Sequence, residues 1–135
     1  MMKAHSLNLK SYNMDQMFKV LKQYSVFGGL FDATKQFSLP EKHKSFPVAY
    51  MVNIRRSSSE RNHWIVIYLQ GNGYGEYFDA NGKRPPNKSV QDYVNRHCYR
   101  GVRYTKYVHN VLWSSCFHCM GYIEEKASHL YDNLF

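Results

Sequence analysis

The chain has 135 residues and a mass of 16.0 kDa, enough to bury one hydrophobic core, so we expect residues 1–135 to form a single domain. Twelve Tyr, eight Phe and two Trp favour a packed globule, and no run of about eighteen uncharged apolar residues is present to span a bilayer. The formal charge of +8 favours encounters with polyanions, but the basic residues are scattered in ones and twos, which is typical of a solvated surface.

The amino terminus and the cysteine content predict a compartment. MMKAHSLNLKSYN lacks the apolar core of a secretory signal, and three cysteines cannot all pair within one chain. We therefore expect an intracellular, reducing location, free thiols, no membrane partner and a monomer.

The first predicted element is a helix over residues 14–24, where apolar residues recur at helical spacing. Asn13 precedes it, and Gln16 follows three positions later, which is the pattern of a capping box. The helix is expected to end before SVFGGLFD, because glycines disfavour its continuation.

Three strands are predicted in the middle of the chain. FPVAYMVNI (46–54) is rich in β-forming residues, and the polar RRSSSERN after it is predicted to be a loop. HWIVIYL (63–69) is apolar at nearly every position, which is typical of a strand covered on both faces. QGNGYG supplies the glycines of a tight turn, and EYFDANG (76–82) is the returning strand.

The second half adds a helix over 88–97, a strand over 101–110 and a final buried helix. The final helix is indicated by an apolar stripe that starts at Cys116 and passes through Met120 and Ile123, and Ser114 or Ser115 is its expected cap. The expected fold class is therefore α+β: a small, mostly antiparallel sheet of about four strands, flanked by helices.

Cys116 is the candidate nucleophile, because unpaired N–H groups in the first turn of a helix favour a thiolate. Such a cysteine needs a general base that a third polar group orients. His63 opens one strand of the predicted hairpin and Asp79 closes the other, so the two can approach within hydrogen-bonding distance. The alternatives are ordinary: Asp79 as a turn residue and a helical cysteine as a core residue.

The order of these motifs resembles that of a known family. A His-Trp pair, then aromatic-aromatic-Asp-x-x-Gly, then a cysteine heading a helix near the carboxyl end is similar to the adenovirus-type (adenain-like) cysteine proteases and their relatives, the ubiquitin-like-protein proteases. HWIVIYL, EYFDANG and SSCFHCMGYI carry the resemblance, and FGGLFD followed by LP looks like the family segment between the first helix and the sheet. The resemblance covers roughly residues 14–130.

The resemblance implies a papain-like architecture, with the nucleophile at the amino terminus of a buried carboxyl-terminal helix. It makes Cys116 the nucleophile, His63 the base and Asp79 the group that orients the base, and it places Trp64 against the substrate site. It implies a protein or peptide substrate, no cofactor, and an accessory nonspecific DNA or peptide activator. A short chain of this kind resembles viral or transposon-derived proteases that process virion or precursor proteins, found in the host nucleus or cytoplasm and in the virion.

Two positions depart from the family pattern. Relatives usually carry a Gln six or seven residues before the cysteine, as a donor to the oxyanion, and here those positions hold Asn110 and His109. Relatives also commonly have Gly directly after the cysteine, where this chain has Phe117. Asn110 can donate an amide hydrogen bond with a shorter reach, and His109 can donate from a ring nitrogen.

Several alternatives stay open. The chain is also interpretable as a catalytically impaired protease-fold protein that binds peptide or nucleic acid, or as a deconjugating protease for a ubiquitin-like modifier. Glu76 is a rival to Asp79 as the third member of the catalytic triad, but it should point to the opposite face of its strand from Asp79. Cys119 and Cys98 fit core positions, and the metal alternative uses Cys116, His118 and Cys119, with Cys98 as an optional fourth ligand. The remaining histidines considered are expected to be surface or satisfied polar groups: His97, His109, His118 and His129.

Overall fold

A computed structural model describes residues 12–54, 63–105 and 114–132, with side chains described as far as residue 128. The elements in chain order are α1 (Met14–Leu21), β1 (Phe27–Asp32), β2 (Val48–Ile54), β3 (His63–Leu69), β4 (Tyr74–Phe78), α2 (Lys88–His97), β5 (Gly101–Tyr104) and α3 (Ser115–Asp132).

The five strands form one sheet in the order β1-β2-β3-β4-β5, so the α+β class is confirmed. β3 pairs antiparallel with both β2 and β4, as the hairpin prediction requires. The outer pairs, β1 with β2 and β4 with β5, are parallel. The sheet is therefore evenly mixed and not mostly antiparallel. The connections explain this, because residues 33–47 and α2 carry the chain back before the next strand begins.

β1 lies in the segment that the sequence assigned to no strand. Its two adjacent glycines lower β propensity, which conceals the strand from pattern analysis. A Cβ at Gly28 would lie 2.5 Å from Val48 Cγ2 and 2.6 Å from Tyr50 Cε1, so the absence of a side chain lets β1 approach β2. Gly29 has φ +134° at a shift in the β1–β2 register.

The helix predictions are largely confirmed. Asn13 Oδ1 accepts from Gln16 N at 2.8 Å, and Gln16 Oε1 accepts from Asn13 N at 2.9 Å, so the capping box forms. α1 ends at Leu21, three residues before the predicted end, and Tyr24 N donates to Leu21 O in the turn that follows. α2 has the predicted bounds.

Two strand boundaries differ from the predictions. β4 begins at Tyr74 and ends at Phe78, because Gly82 N donates to Asp79 O at 2.8 Å and closes a turn where a strand was expected to continue to residue 82. β5 ends at Tyr104, and residues 106–110 of its predicted span lie outside the described residues.

The sheet separates two hydrophobic clusters. α1 and α3 contribute to the cluster on one face, and α2 contributes to the cluster on the other. β3 supplies alternate residues to both clusters and is buried along its whole length, as predicted. The α3 stripe enters the first cluster through Cys116, Cys119, Met120 and Ile123. Among the described helices, none combines the length and the apolar character needed to cross a membrane.

Candidate active site

His63 and Asp79 are hydrogen-bonded at one end of the sheet. The imidazole Nε2 lies 3.0 Å from Asp79 Oδ1, and the residues are 6% and 1% exposed. The pairing of Val66 with Phe78 puts Asp79 opposite Ile65, and therefore diagonal to His63 across the hairpin. The structure thus brings together two of the three residues of the predicted triad.

Asp79 is held in place by groups other than the imidazole. Its Oδ1 also accepts from Asn81 N at 2.8 Å, as in an Asx turn, and its backbone N donates to Thr105 Oγ1 at 3.0 Å. Asp79 is therefore a turn residue and a histidine partner at the same time. Thr105, just after β5, was missed by sequence reasoning, since its role depends on the parallel β4–β5 pairing.

The amino terminus of α3 reaches the same end of the sheet. Trp64 N donates to Ser115 Oγ at 3.0 Å. Gln70, just after β3, donates its N–H to Tyr74 O of β4. Because the N–H groups of a strand point alternately to its two neighbours, every second residue back from Gln70, including Trp64, also points its N–H to the β4 side. Since β4 has ended at Phe78, Ser115 takes the place of the missing strand partner. We call this end of the sheet, with His63, Asp79 and Ser115, the β3–β4 rim.

Cys116 directly follows Ser115 and is 1% exposed. Ser114 Oγ accepts from Phe117 N at 3.3 Å, which makes Ser114 the cap, and it lies 3.3 Å from Cys116 Sγ. Because the oxygen lone pairs serve the helix N–H, the Ser114 O–H can donate to sulfur.

The other two cysteines are packing groups, as the core interpretation predicts. Burial raises the pKa of the Cys119 thiol well above its usual value, and negative charge on Cys116 and Asp79 raises it further. Burial raises the pKa of Cys98 to about 11. Both thiols therefore stay protonated near neutral pH, where they are poor nucleophiles.

The arrangement does not favour the metal alternative. Cys98 packs in the cluster on the α2 face, whereas Cys116 and Cys119 belong to the cluster on the α3 face. Within residues 12–54, 63–105 and 114–128, no three His, Cys, Asp or Glu side chains are grouped to hold an ion.

Glu76 points to the α3 side of the sheet, towards Tyr122 and Lys126. Its carboxylate accepts from Tyr122 Oη at 2.5 Å and pairs with Arg103 and Lys126. Burial alone would raise the pKa of Glu76, but these hydrogen bonds outweigh burial and lower it. Glu76 therefore links α3 to the sheet, and its carboxylate binds Tyr122, Arg103 and Lys126 instead of a residue of the β3–β4 rim.

The structure describes some of the remaining predicted residues and leaves others outside the described part of the chain. Trp64 is buried in the cluster that contains Cys116, and its contact with substrate stays a prediction. His97 is a satisfied polar group, since it bonds to His43 at 2.9 Å and to Glu41 at 3.1 Å. The two oxyanion candidates, Asn110 and His109, lie outside the described residues, as does the side chain of His129.

Comparison with known proteins leaves the activity to be argued from geometry. No protein-family model matches the chain, and no curated protein matches it. Among solved structures it is similar to the central domain of an uncharacterized protein from Legionella pneumophila, with a TM-score of 0.49 and 17% identity over 90% of this chain and 78% of that chain. A likeness of this size assigns no activity.

Proposed function

We propose that this protein is a cysteine endopeptidase with Cys116 as nucleophile, His63 as general base and Asp79 as the group that orients the base. The observation that supports it most is the buried His63–Asp79 hydrogen bond at the rim that the start of α3 also reaches. The motif resemblance to adenain-like proteases supports the same assignment independently of this geometry.

The bond to Asp79 determines how His63 can act. With the proton on Nε2 donated to the carboxylate, Nδ1 carries a lone pair and can accept the thiol proton. The resulting thiolate forms a bond to the carbonyl carbon of a peptide. The imidazolium then gives its proton to the amine nitrogen as the C–N bond breaks, leaving an acyl-enzyme. Water adds to that carbonyl, His63 takes its proton, and the carboxylic acid leaves as the thiol is restored.

The proposed substrates are protein precursors, as the resemblance to viral and transposon-derived proteases implies. Removal of a ubiquitin-like modifier uses the same chemistry on a different substrate. The identity of the substrate that is cleaved therefore distinguishes a precursor-processing protease from a deconjugating protease. Cleavage of an unfolded protein substrate supports the first, and cleavage of a modifier conjugate alone supports the second.

One observation favours a binding protein with a protease fold instead. Cys116 is almost wholly enclosed, so a peptide carbonyl can reach its sulfur only after a covering group moves. Tyr12 packs against the same cluster, and its pKa is raised by burial and by negative charge on Cys116. Activity therefore requires displacement of the groups that cover the Cys116 sulfur.

The test is hydrolysis of a mixed peptide library and unfolded casein, read by mass spectrometry. Cys116→Ala should abolish cleavage, and the matched variant Cys119→Ala should retain it, because only Cys116 begins the helix. Cleavage that survives Cys116→Ala would refute the assignment. No cleavage by the unmodified protein would favour the binding protein.

A further inference from the structure

We propose that the end of the sheet opposite the β3–β4 rim binds single-stranded nucleic acid, by stacking bases on Phe46 and Tyr99 and pairing phosphates with nearby cations. This inference does not rest on the proposed peptidase activity. We call the surface the turn patch; it is formed by the β3–β4 turn, the segment before β2 and the connection from α2 to β5.

Exposed aromatic rings are concentrated on the turn patch. The exposed large apolar residues of the described chain are Met14 and Phe18 on α1 and three aromatic residues at this end of the sheet. Phe46 is 49% exposed and Tyr99 is 75% exposed. Exposed apolar residues that occur singly are normal, whereas a cluster of exposed rings on one side of a small protein indicates a binding surface.

Two glycines allow these rings to lie against the turn. A Cβ on Gly71 would lie 2.6 Å from Phe46 Cβ, and a Cβ on Gly73 would lie 2.9 Å from Tyr99 Cζ. Both rings line one open depression of about 270 Å³, with Arg96 and His97 also in its wall. The size of the depression and the two aromatic rings in its lining suit a nucleobase, since bases stack on aromatic side chains with little sequence preference.

The charge around the depression is complementary to phosphate. Lys42 and Lys44 are exposed and precede Phe46 by four and two residues in the chain, and Arg100 packs its side chain over Gly73. Arg96 forms a bidentate pair with Glu41, which offsets one positive charge. The cations still exceed this carboxylate, and the whole chain carries +8. A duplex hides its bases, so stacking selects a single strand.

The turn patch is separate from the candidate active site. β3 runs from His63 at the rim to Leu69 beside the depression, a span of about 20 Å at the usual rise per residue. A bound strand would leave the rim free, so variants of the patch should not change Cys116 chemistry directly.

The experiment is a fluorescence-anisotropy titration of labelled oligothymidine with the full chain, at low and at moderate salt. Phe46→Ala and Tyr99→Ala should each weaken binding about tenfold, because loss of a stacking ring costs that much or more per base. Phe18→Ala, which removes a ring of similar exposure from α1, should leave the affinity unchanged.

A second pair of variants tests the phosphate contacts. Arg100→Gln should lower the dependence of log affinity on log salt by about 0.7, the value for one lost phosphate contact with a single strand. Lys22→Gln removes the same charge from an exposed position beside α1 and should leave that slope unchanged. Three results would each overturn the proposal. The first is no binding at low salt. The second is that a control variant, Phe18→Ala or Lys22→Gln, has the same effect as the patch variant it is matched to, and the third is duplex binding that Phe46→Ala and Tyr99→Ala leave unchanged.

Discussion

Asp79→Asn tests the part of the candidate site that the structure describes best. Both His63 Nε2 and Asn81 N contact the same oxygen, Asp79 Oδ1, so an asparagine amide oxygen can keep both bonds and the turn should persist while the negative charge is lost. A neutral amide stabilises the imidazolium that forms when His63 takes the thiol proton of Cys116 less than a carboxylate does.

The size of the effect follows from the bond that is lost. A hydrogen bond to a charged group contributes about 1.5–3 kcal/mol, which corresponds to about a 10- to 150-fold loss in kcat/KM if it acts only through His63 orientation. The thermal midpoint should change little. If the amide turns so that its N–H₂ faces Nε2, the wrong histidine tautomer would enlarge the decrease, since the serine triad loses about 10⁴-fold in the equivalent change.

The assay is kcat/KM together with a thermal melt for each variant. Asp92→Asn is the matched control, because Asp92 pairs with Lys88 on the exposed side of α2 and should alter neither quantity. An Asp79→Asn variant with unchanged kcat/KM would refute the orienting role. A variant whose activity falls only because its fold melts would assign Asp79 to the turn alone.

Three further predictions concern the residues around the site and the sheet. Ser114→Ala should lower stability by about 1 kcal/mol through loss of the cap and slow alkylation of Cys116, whereas Ser114→Thr should restore both. Glu76→Gln should destabilise the fold by about 3 kcal/mol at pH 7, because it leaves the Lys126 ammonium without its carboxylate. The pKa of Glu76 is lowered on folding, so its contribution to the free energy of unfolding is present above about pH 4.3 and is lost as the pH falls through the folded pKa. The denaturation midpoints of the unmodified protein and of Glu76→Gln should therefore converge in acid. Gly75→Ala should lower the thermal midpoint, because its Cβ would lie 2.5 Å from both Cys98 Sγ and Tyr68 O; an unchanged midpoint would show that β4 shifts freely.

Local patterns were sufficient to predict the elements whose signals are local. The α1 cap depends on two residues three positions apart, and the burial of β3 follows from its uninterrupted apolar run. β1 escaped prediction because Gly28 serves the contact with β2, and no property of FGGLFD by itself reveals that contact.

The candidate site was predictable from the sequence only where it depends on local strand pairing. The hairpin between β3 and β4 determines which residues can meet, so the His63–Asp79 contact followed from the sequence. Ser115 and Thr105 could not be found in this way. Their contacts depend on where β4 ends and on which strand pairs with it in parallel, and both are properties of the assembled sheet.

The reactivity of each cysteine tests the central claim most directly. We would alkylate the protein with iodoacetamide at pH 6 and follow each cysteine by mass spectrometry, in the unmodified chain and in His63→Ala. Burial raises the pKa of both Cys98 and Cys119, so these thiols should react slowly, and the proposal requires Cys116 to be labelled first because His63 accepts its proton. His63→Ala should slow Cys116 labelling and leave the other two rates unchanged. Equal rates at all three cysteines, or a Cys116 rate that ignores His63, would contradict the proposed catalytic pair.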